Sequence, residues 1–261
     1  MAILITGASS GIGEALARQA AKRKHDLVLV ARRKEKLEDL SNELEANHKI
    51  NVGIISVDLT KKSGIETVIR RIEKGGIDVL INNAGFGSSG PFIELDLGNE
   101  LNEIDLNVRA LVQLSHVAGK IMAEKKFGTI VNISSIASYL PMSGNAVYGA
   151  TKAFVTSFSH ALREELGDYG VNVMVVCPGL TISEFHQRSK WDGQSSKSPY
   201  PAMVWKTSDE VAEIVFKGMD KQRTVVVPGI VNKVAAALSS SLPGSVTRKI
   251  SAFVAKGRRL R

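Results

Sequence analysis

Three residues in one stretch have the chemistry to move a proton. Ser135 follows the apolar run Thr129-Ile130-Val131-Asn132-Ile133, and Tyr148 and Lys152 follow in Tyr148-Gly149-Ala150-Thr151-Lys152. A helix from about Asn145 onward puts Tyr148 and Lys152 four residues apart, on one face and one turn from each other. A free tyrosine has a pKa of about 10 and is a poor acid or base at neutral pH. A fixed ammonium nearby favours the phenolate and draws that value down. A tyrosine poised nearer neutrality can protonate a developing alkoxide or take the proton of an alcohol. A strand ending near residue 133 would place the Ser135 hydroxyl beside the reacting oxygen. Tyr-x-x-x-Lys alone also suits a solvated helix face, and a buried tyrosine often does no more than satisfy its hydroxyl.

The proton-moving set needs a scaffold, and the start of the chain supplies part of one. Residues 2–5 are apolar, Thr6-Gly7-Ala8-Ser9-Ser10-Gly11-Ile12-Gly13 follows, and Glu14-Ala15-Leu16-Ala17-Arg18-Gln19-Ala20 has helical pattern. Glycines at 7, 11 and 13 permit a tight turn and close backbone approach to a ligand. The helix behind them aims free N–H groups and its positive dipole end at a phosphate. The spacing Gly-x-x-x-Gly-x-Gly differs from the usual dinucleotide fingerprint by one more residue in the turn.

The alternation continues along the chain. Residues 26–31, 52–57, 77–82, 129–133, 171–177 and 224–227 read as strands. Residues 34–47, 61–74, 100–125, 146–167 and 211–220 read as helices between them. Apolar strands without strict period-two alternation, separated by helices, predict a parallel sheet buried on both faces. The 261 residues suffice for one large domain, and no linker marks a second. The N-terminus shows no signal-peptide pattern, and no stretch approaches the ~20 apolar residues that span a bilayer. The single cysteine, Cys177, excludes an intrachain disulfide and fits a reducing, cytoplasmic setting. Its place after 171–176 suits a small buried hydrophobe. The net charge of +8 is uneven: residues 217–261 hold ten of the 34 basic and one of the 26 acidic residues, leaving 24 and 25 in the body.

Taken together, Thr6-Gly-x-x-x-Gly-x-Gly13, Asn82-Asn83-Ala84-Gly85, Asn107, Ser135, Tyr148, Lys152 and Pro178-Gly179 resemble the short-chain dehydrogenase/reductase family, in its order and near its spacings, over about residues 1–230. The resemblance implies an α/β fold, a single-domain, Rossmann-type, doubly wound sheet of about seven strands with helices on both faces, followed by a C-terminal helical tail from 231. It also implies hydride transfer between NAD or NADP and a carbonyl or alcohol carbon. Tyr148 is then the acid/base, Lys152 lowers its pKa and holds the nicotinamide ribose, Ser135 polarises the carbonyl oxygen and Asn107 orders water on a proton path. Ser135 fits the family spacing better than Ser134, and adjacent strand residues face opposite sides. The cofactor would meet Gly7, Ser9, Ser10, Gly11, Ile12 and Gly13, then Asp58 and Leu59 at the adenine edge, Asn83, Ala84 and Gly85, and finally Pro178, Gly179 and Ser183. Ser183 stands where the family usually has a carboxamide-holding threonine.

NAD-binding members carry an acidic residue at the end of strand two. This chain has Ala31-Arg32-Arg33, and a guanidinium fork suits a phosphate. NADP is therefore the expected cofactor, with Arg32 the main contact and Arg33 its helper. Aromatics among polar residues between 185 and 205 (His186, Trp191, Tyr200, Trp205), with Tyr139, Leu140 and Met142, could cover an apolar substrate. His186 alone makes no metal site. These features predict an NADP-dependent oxidoreductase of carbonyls or secondary alcohols, with 3-oxoacyl, steroid-like and 3-hydroxy acid substrates left open. A non-catalytic NADP sensor is the rival, which should lack Tyr148 or Lys152. Helices 100–125 and 146–167 suit pairing into a homodimer or homotetramer. In the tail, Val231, Val234, Ala235, Leu238 and Leu242 form one helical stripe. Residues 245–261 form a second, basic one, suited either to packing or to peripheral contact with an anionic membrane. Nucleic acid is not an expected partner.

Overall fold

The computed structural model describes residues 1–141, 143–184 and 204–241. The expectations for Met142, His186, Trp191, Tyr200 and the tail from Leu242 onward lie outside the described residues. The chain runs β1 (Ala2–Thr6), α1 (Gly11–Lys22), β2 (Asp26–Ala31), α2 (Lys34–His48), β3 (Val52–Ser56), α3 (Lys62–Glu73) and β4 (Val79–Asn82). Then come α4 (Leu97–Ile104), a π-helical stretch (Asp105–Ala110), α5 (Leu111–Lys125), β5 (Gly128–Ile133), α6 (Ala146–Gly167) and β6 (Val171–Val176). The short strands β7 (Thr181–Ile182) and β8 (Lys206–Thr207) precede α7 (Ser208–Asp220), β9 (Val225–Val226) and α8 (Ile230–Ser241).

The seven-stranded sheet has the order β3-β2-β1-β4-β5-β6-β9, and every pair is parallel. Its strands are apolar on both faces because both faces are covered. Ile3, Ile5, Ile81 and Val131 point to one side, among Leu16, Leu37 and Phe216. Leu4, Leu80, Ile130 and Val173 point to the other, among Val68, Leu114 and Met122. The chain builds outward from β1 to β3, then returns to place β4 on the free edge of β1. This reversal opens a crevice at the carboxyl ends of β1 and β4, where ligands of such sheets bind.

A buried polar ladder crosses the sheet beside that crevice. Asn82 and Asn132 are register partners on β4 and β5. Asn82 Nδ2 donates to Asn132 Oδ1 and to Ser115 Oγ, both at 2.9 Å. Asn132 Nδ2 donates to Ser159 Oγ at 2.9 Å, and Ser159 donates to Val155 O. The ladder ties β4 and β5 to α5 and α6.

One expectation changes, and α8 adds an orientation that the spacing left open. The helix expected over 100–125 begins at Leu97 and is interrupted by the π-helical stretch, which inserts an extra residue into the turn. On α8 the apolar stripe faces outward: Val231, Val234 and Leu238 are exposed, while Asn232 and Ala236 face the body. The reason is a polar anchor. Asn232 Nδ2 donates to Pro228 O at 2.7 Å and sits where a side chain at Gly179 would lie. Among the described residues no helix is long and apolar enough to cross a membrane.

Candidate active site

The turn from β1 to α1 is shaped by the absence of side chains. Gly7 and Gly11 have φ of +69° and +59°, a region that penalises any Cβ. A Cβ on Gly13 would lie 2.2 Å from Gly7 O and 2.5 Å from Asn83 Nδ2. Thr6 Oγ1 accepts from the N–H groups of Asn83 and Ala84, and Asn83 Nδ2 donates to Thr6 O. Ser10 is the N-cap of α1, yet its side chain caps no N–H group. Among the described residues the first-turn donors have no side-chain partner. Open donors and a side-chain-free turn are what a pyrophosphate requires, so these residues fit a dinucleotide.

The surrounding residues divide into those at the crevice and those turned from it. Arg33 Nε and Nη2 donate to Ser9 Oγ at 3.2 and 3.1 Å, and Arg33 Nη1 pairs with Glu184 at 2.7 Å. Burial works against the Glu184 carboxylate, but Arg33, Lys36 and Ser10 outweigh it and hold its pKa below the ordinary value. Arg32 is exposed and makes no ion pair among the described residues. Asp58 Oδ1 accepts from both Thr60 N and Thr60 Oγ1 at 2.9 Å. The Leu59 side chain is buried in the core, so only its main chain can meet a ligand. Ser183 Cβ lies 3.1 Å from where a Gly11 Cβ would be, which brings the segment after Pro178-Gly179 back over the glycine turn.

Ser134 and Ser135 face opposite ways. Ser134 is buried and its Oγ bonds Lys152 O and Thr156 Oγ1 at 2.8 and 2.7 Å. Ser135 Oγ accepts from Ala137 N–H at 3.1 Å, capping the 3-10 turn Ile136–Tyr139, and is hydrogen-bonded to Tyr148. Lys152 is buried; its Nζ donates to Ile133 O at 2.9 Å and lies 5.8 Å from the Tyr148 ring centroid. Asn107, within the π-helical stretch, accepts from Phe86 N–H at 3.1 Å and donates to Phe86 O at 2.9 Å and Thr151 Oγ1 at 3.1 Å. Its side chain thus clamps the loop after β4 between α4 and α6. That loop touches the tyrosine, since a Cβ on Gly87 would come within 2.7 Å of Tyr148 Cδ2.

The electrostatics correct one expectation. Lys152 does not bring Tyr148 toward neutrality in the protein alone. Burial pushes the phenol up to about 12; the Ser135 hydrogen bond acts the other way, and the charge of Glu103 adds to the rise. Burial also pushes the Lys152 ammonium down to about 8, partly offset by Glu103. Desolvation wins over the pairwise attraction because Lys152 is buried and Tyr148 keeps only part of its surface in water.

Sequence reasoning missed Glu103. It is fully buried on α4 with Glu100 beside it. Burial pushes its carboxyl up to about 7, against a hydrogen bond from Ser88 N–H at 2.8 Å. The only available signal was its position four residues before Asn107, which puts both on one helix face.

Lys152→Met keeps the length of the side chain and removes the buried charge. A folded pKa near 8 against about 10.5 unfolded penalises the fold below pH 8 by roughly 3 kcal/mol. The lost hydrogen bond to Ile133 O costs about 1–2 kcal/mol. The variant therefore melts higher than wild type at pH 6. The gap narrows between pH 8 and 10.5, where folded wild type releases the proton that the unfolded chain keeps. Thermal unfolding across pH checks this, and a variant less stable at pH 6 refutes it.

Comparison with known proteins identifies the family. Residues 1–193 match the family model for short chain dehydrogenase. The NADP-dependent 3-hydroxy acid dehydrogenase of Schizosaccharomyces pombe is 34% identical over 230 residues, 86% of this chain and 89% of that protein. A short-chain dehydrogenase from Sphingobium yanoikuyae, solved in complex with NADPH, is 33% identical with a TM-score of 0.82, covering 93% of this chain and 96% of that one. The bulky-bulky ketone specific alcohol dehydrogenase from Comamonas testosteroni is 32% identical with a TM-score of 0.79, over 93% and 94%. With its glycine turn, its Ser135–Tyr148–Lys152 cluster and the sheet that positions them, the chain belongs to the short-chain dehydrogenase family.

Proposed function

We propose that the protein is an NADP-dependent oxidoreductase that interconverts a carbonyl and a secondary alcohol carrying an apolar portion, with Tyr148 as general acid/base. The observation that carries this is the Ser135–Tyr148 hydrogen bond, beside buried Lys152 and next to the side-chain-free turn into α1. The relatives named for NADP-dependent activity or solved with NADPH support the cofactor. Bound NADPH supplies the hydride in the reducing direction.

The chain's own residues handle the proton and the geometry. Tyr148, neutral at physiological pH, gives its proton to the oxygen that becomes the alcohol. Ser135 Oγ already accepts from Ala137 N–H, so its own hydrogen is directed to the substrate oxygen or the phenolate. Lys152, anchored on Ile133 O, places positive charge beside the phenolate as it forms. Asn107 holds the loop that packs on the tyrosine. Tyr139, expected over the substrate, instead turns its hydroxyl to Cys177, and the bulky-ketone specificity named for the Comamonas enzyme supports a substrate with a large apolar part. Arg32, exposed and without an ion pair among the described residues, is available to a 2′-phosphate, whereas Arg33 is engaged by Ser9 and Glu184. An apolar surface supports self-association. Leu97, Leu101 and Ile104 are exposed on α4. On α6 Phe154 stacks on Phe158 with centroids 5.8 Å apart.

Tyr148→Phe keeps the ring and loses the donor. It should lower kcat by a factor of about 10³ or more, combining lost acid catalysis with a lost transition-state hydrogen bond, while the Kd for NADPH stays within about two-fold. Turnover near the wild-type rate refutes the assignment. Arg32→Ala should weaken NADPH binding by roughly ten-fold or more and leave NADH binding nearly unchanged, as expected for one charge-assisted contact. Equal losses for both cofactors show that Arg32 does not see the phosphate. Light scattering at micromolar concentration should give a dimer or tetramer; a monomer removes the self-association reading.

A further inference from the structure

The face of α4 and the π-helical stretch that looks into the site carries two grips on one short strap, residues 85–88. Asn107 holds Phe86 by its N–H and its carbonyl. One turn earlier, Glu103 Oε2 accepts from Ser88 N–H at 2.8 Å. From the other side Asn145 Nδ2 donates to Ser88 O at 2.7 Å, and Gly87 lies flat against the Tyr148 ring with no room for a side chain. Glu103 is 0% exposed and its Oε1 has no hydrogen-bond partner; Glu100 is 3% exposed and neither of its oxygens has one. Buried carboxyl oxygens without partners are costly, and here they lie on the helix that holds the strap packed on the Tyr148 ring. The titratable groups that face Glu103 are Glu100 on its own helix and Lys152 and Tyr148 on α6; the strap carries none.

We propose that Glu103 is a positioning residue for proton transfer: its carboxyl holds the 85–88 strap against the Tyr148 ring, and its charge holds protons on Tyr148 and Lys152. This rests on the acid/base role proposed for Tyr148. Both neighbours respond to Glu103 in the same sense, since its negative charge raises the phenol and the ammonium alike. Its own carboxyl, held near 7 by burial, is neutral below that pH and charged above it. Above that pH the site thus stays more fully protonated than it would without Glu103, because the charged form opposes phenolate formation.

Glu103→Gln separates the two actions. The amide oxygen still accepts from Ser88 N–H, so the strap stays in place, but the charge is gone. In the purified enzyme with NADP, the rising limb of the pH–rate curve for alcohol oxidation should move down by about half to one pH unit. At a fixed pH on that limb this is a three- to ten-fold gain, with KM within two-fold. Glu103→Ala, which also loses the grip, should drop kcat by about ten-fold relative to Gln at the same pH. A readout without turnover is the titration of Lys152, followed by NMR of ¹³C-labelled lysine and assigned through Lys152→Met. Its midpoint, about 8 in wild type, should fall by half a unit or more in Glu103→Gln. An unmoved Lys152 midpoint or superimposable pH–rate curves overturn the charge coupling. Equal kcat in the Ala and Gln variants overturns the strap. Wild-type enzyme without turnover of any carbonyl or alcohol overturns the oxidoreductase reading instead, and the Lys152 midpoint then still decides whether Glu103 acts on the pair.

Discussion

One contact of backbone on backbone fixes the rest of the molecule. Where β1 ends, the peptide of Gly7 lies so close to Gly13 that a single methyl group at Gly13 would overlap it. Asn83, from the end of β4, closes the same point from the third side. This contact sets where α1 starts, which way its free N–H groups aim and how near β4 comes to β1. The crevice of the sheet is therefore a consequence of missing side chains, and the Asn82–Asn132 ladder carries the same alignment one strand further, to the residues before Ser135. A close-packed interior transmits such positions without much give.

The chemistry sits in tension with this packing. The proposed chemistry needs Tyr148 to lose and regain a proton while Lys152 stays charged, yet Lys152 is buried and Tyr148 half-buried. Burial pushes their pKa values toward the neutral form of each. The protein offsets part of that penalty with fixed dipoles: the Ser135 hydroxyl at the phenol and the Ile133 carbonyl at the ammonium. Such preorganised groups do not need to reorganise when charge develops. A site built this way gives up stability in exchange for readiness.

Much of this was legible in the sequence, for identifiable reasons. The strands of a doubly covered parallel sheet are short apolar runs between helical patterns, so most of them read off to within one or two residues. The glycine turn was legible because nothing but glycine fits its backbone. Three features were not. The π-helical stretch around Asn107 leaves no mark in the local residue types. The outward apolar face of α8 follows from one amide, Asn232, which anchors the helix by a hydrogen bond and outweighs the hydrophobic spacing. The raised phenol of Tyr148 depends on how deeply α6 is buried and on Glu103, an acid from a different helix. Spacing along the chain reports which groups share a face; it does not report how much water they keep.

Cys177 has a practical consequence. It is the only cysteine in 261 residues, it is fully buried, and its thiol, raised by burial, lies 3.6 Å from the Tyr139 hydroxyl. A protonated thiol shut away from solvent neither attacks electrophiles nor oxidises readily. The protein consequently carries no accessible sulfhydryl, and its activity is insulated from the thiol–disulfide balance of its surroundings. It is also a ready background for spectroscopy: a cysteine placed at an exposed position, such as Ile93 on the rim beside α4 (92% exposed), would be the one thiol a maleimide dye or spin label could reach.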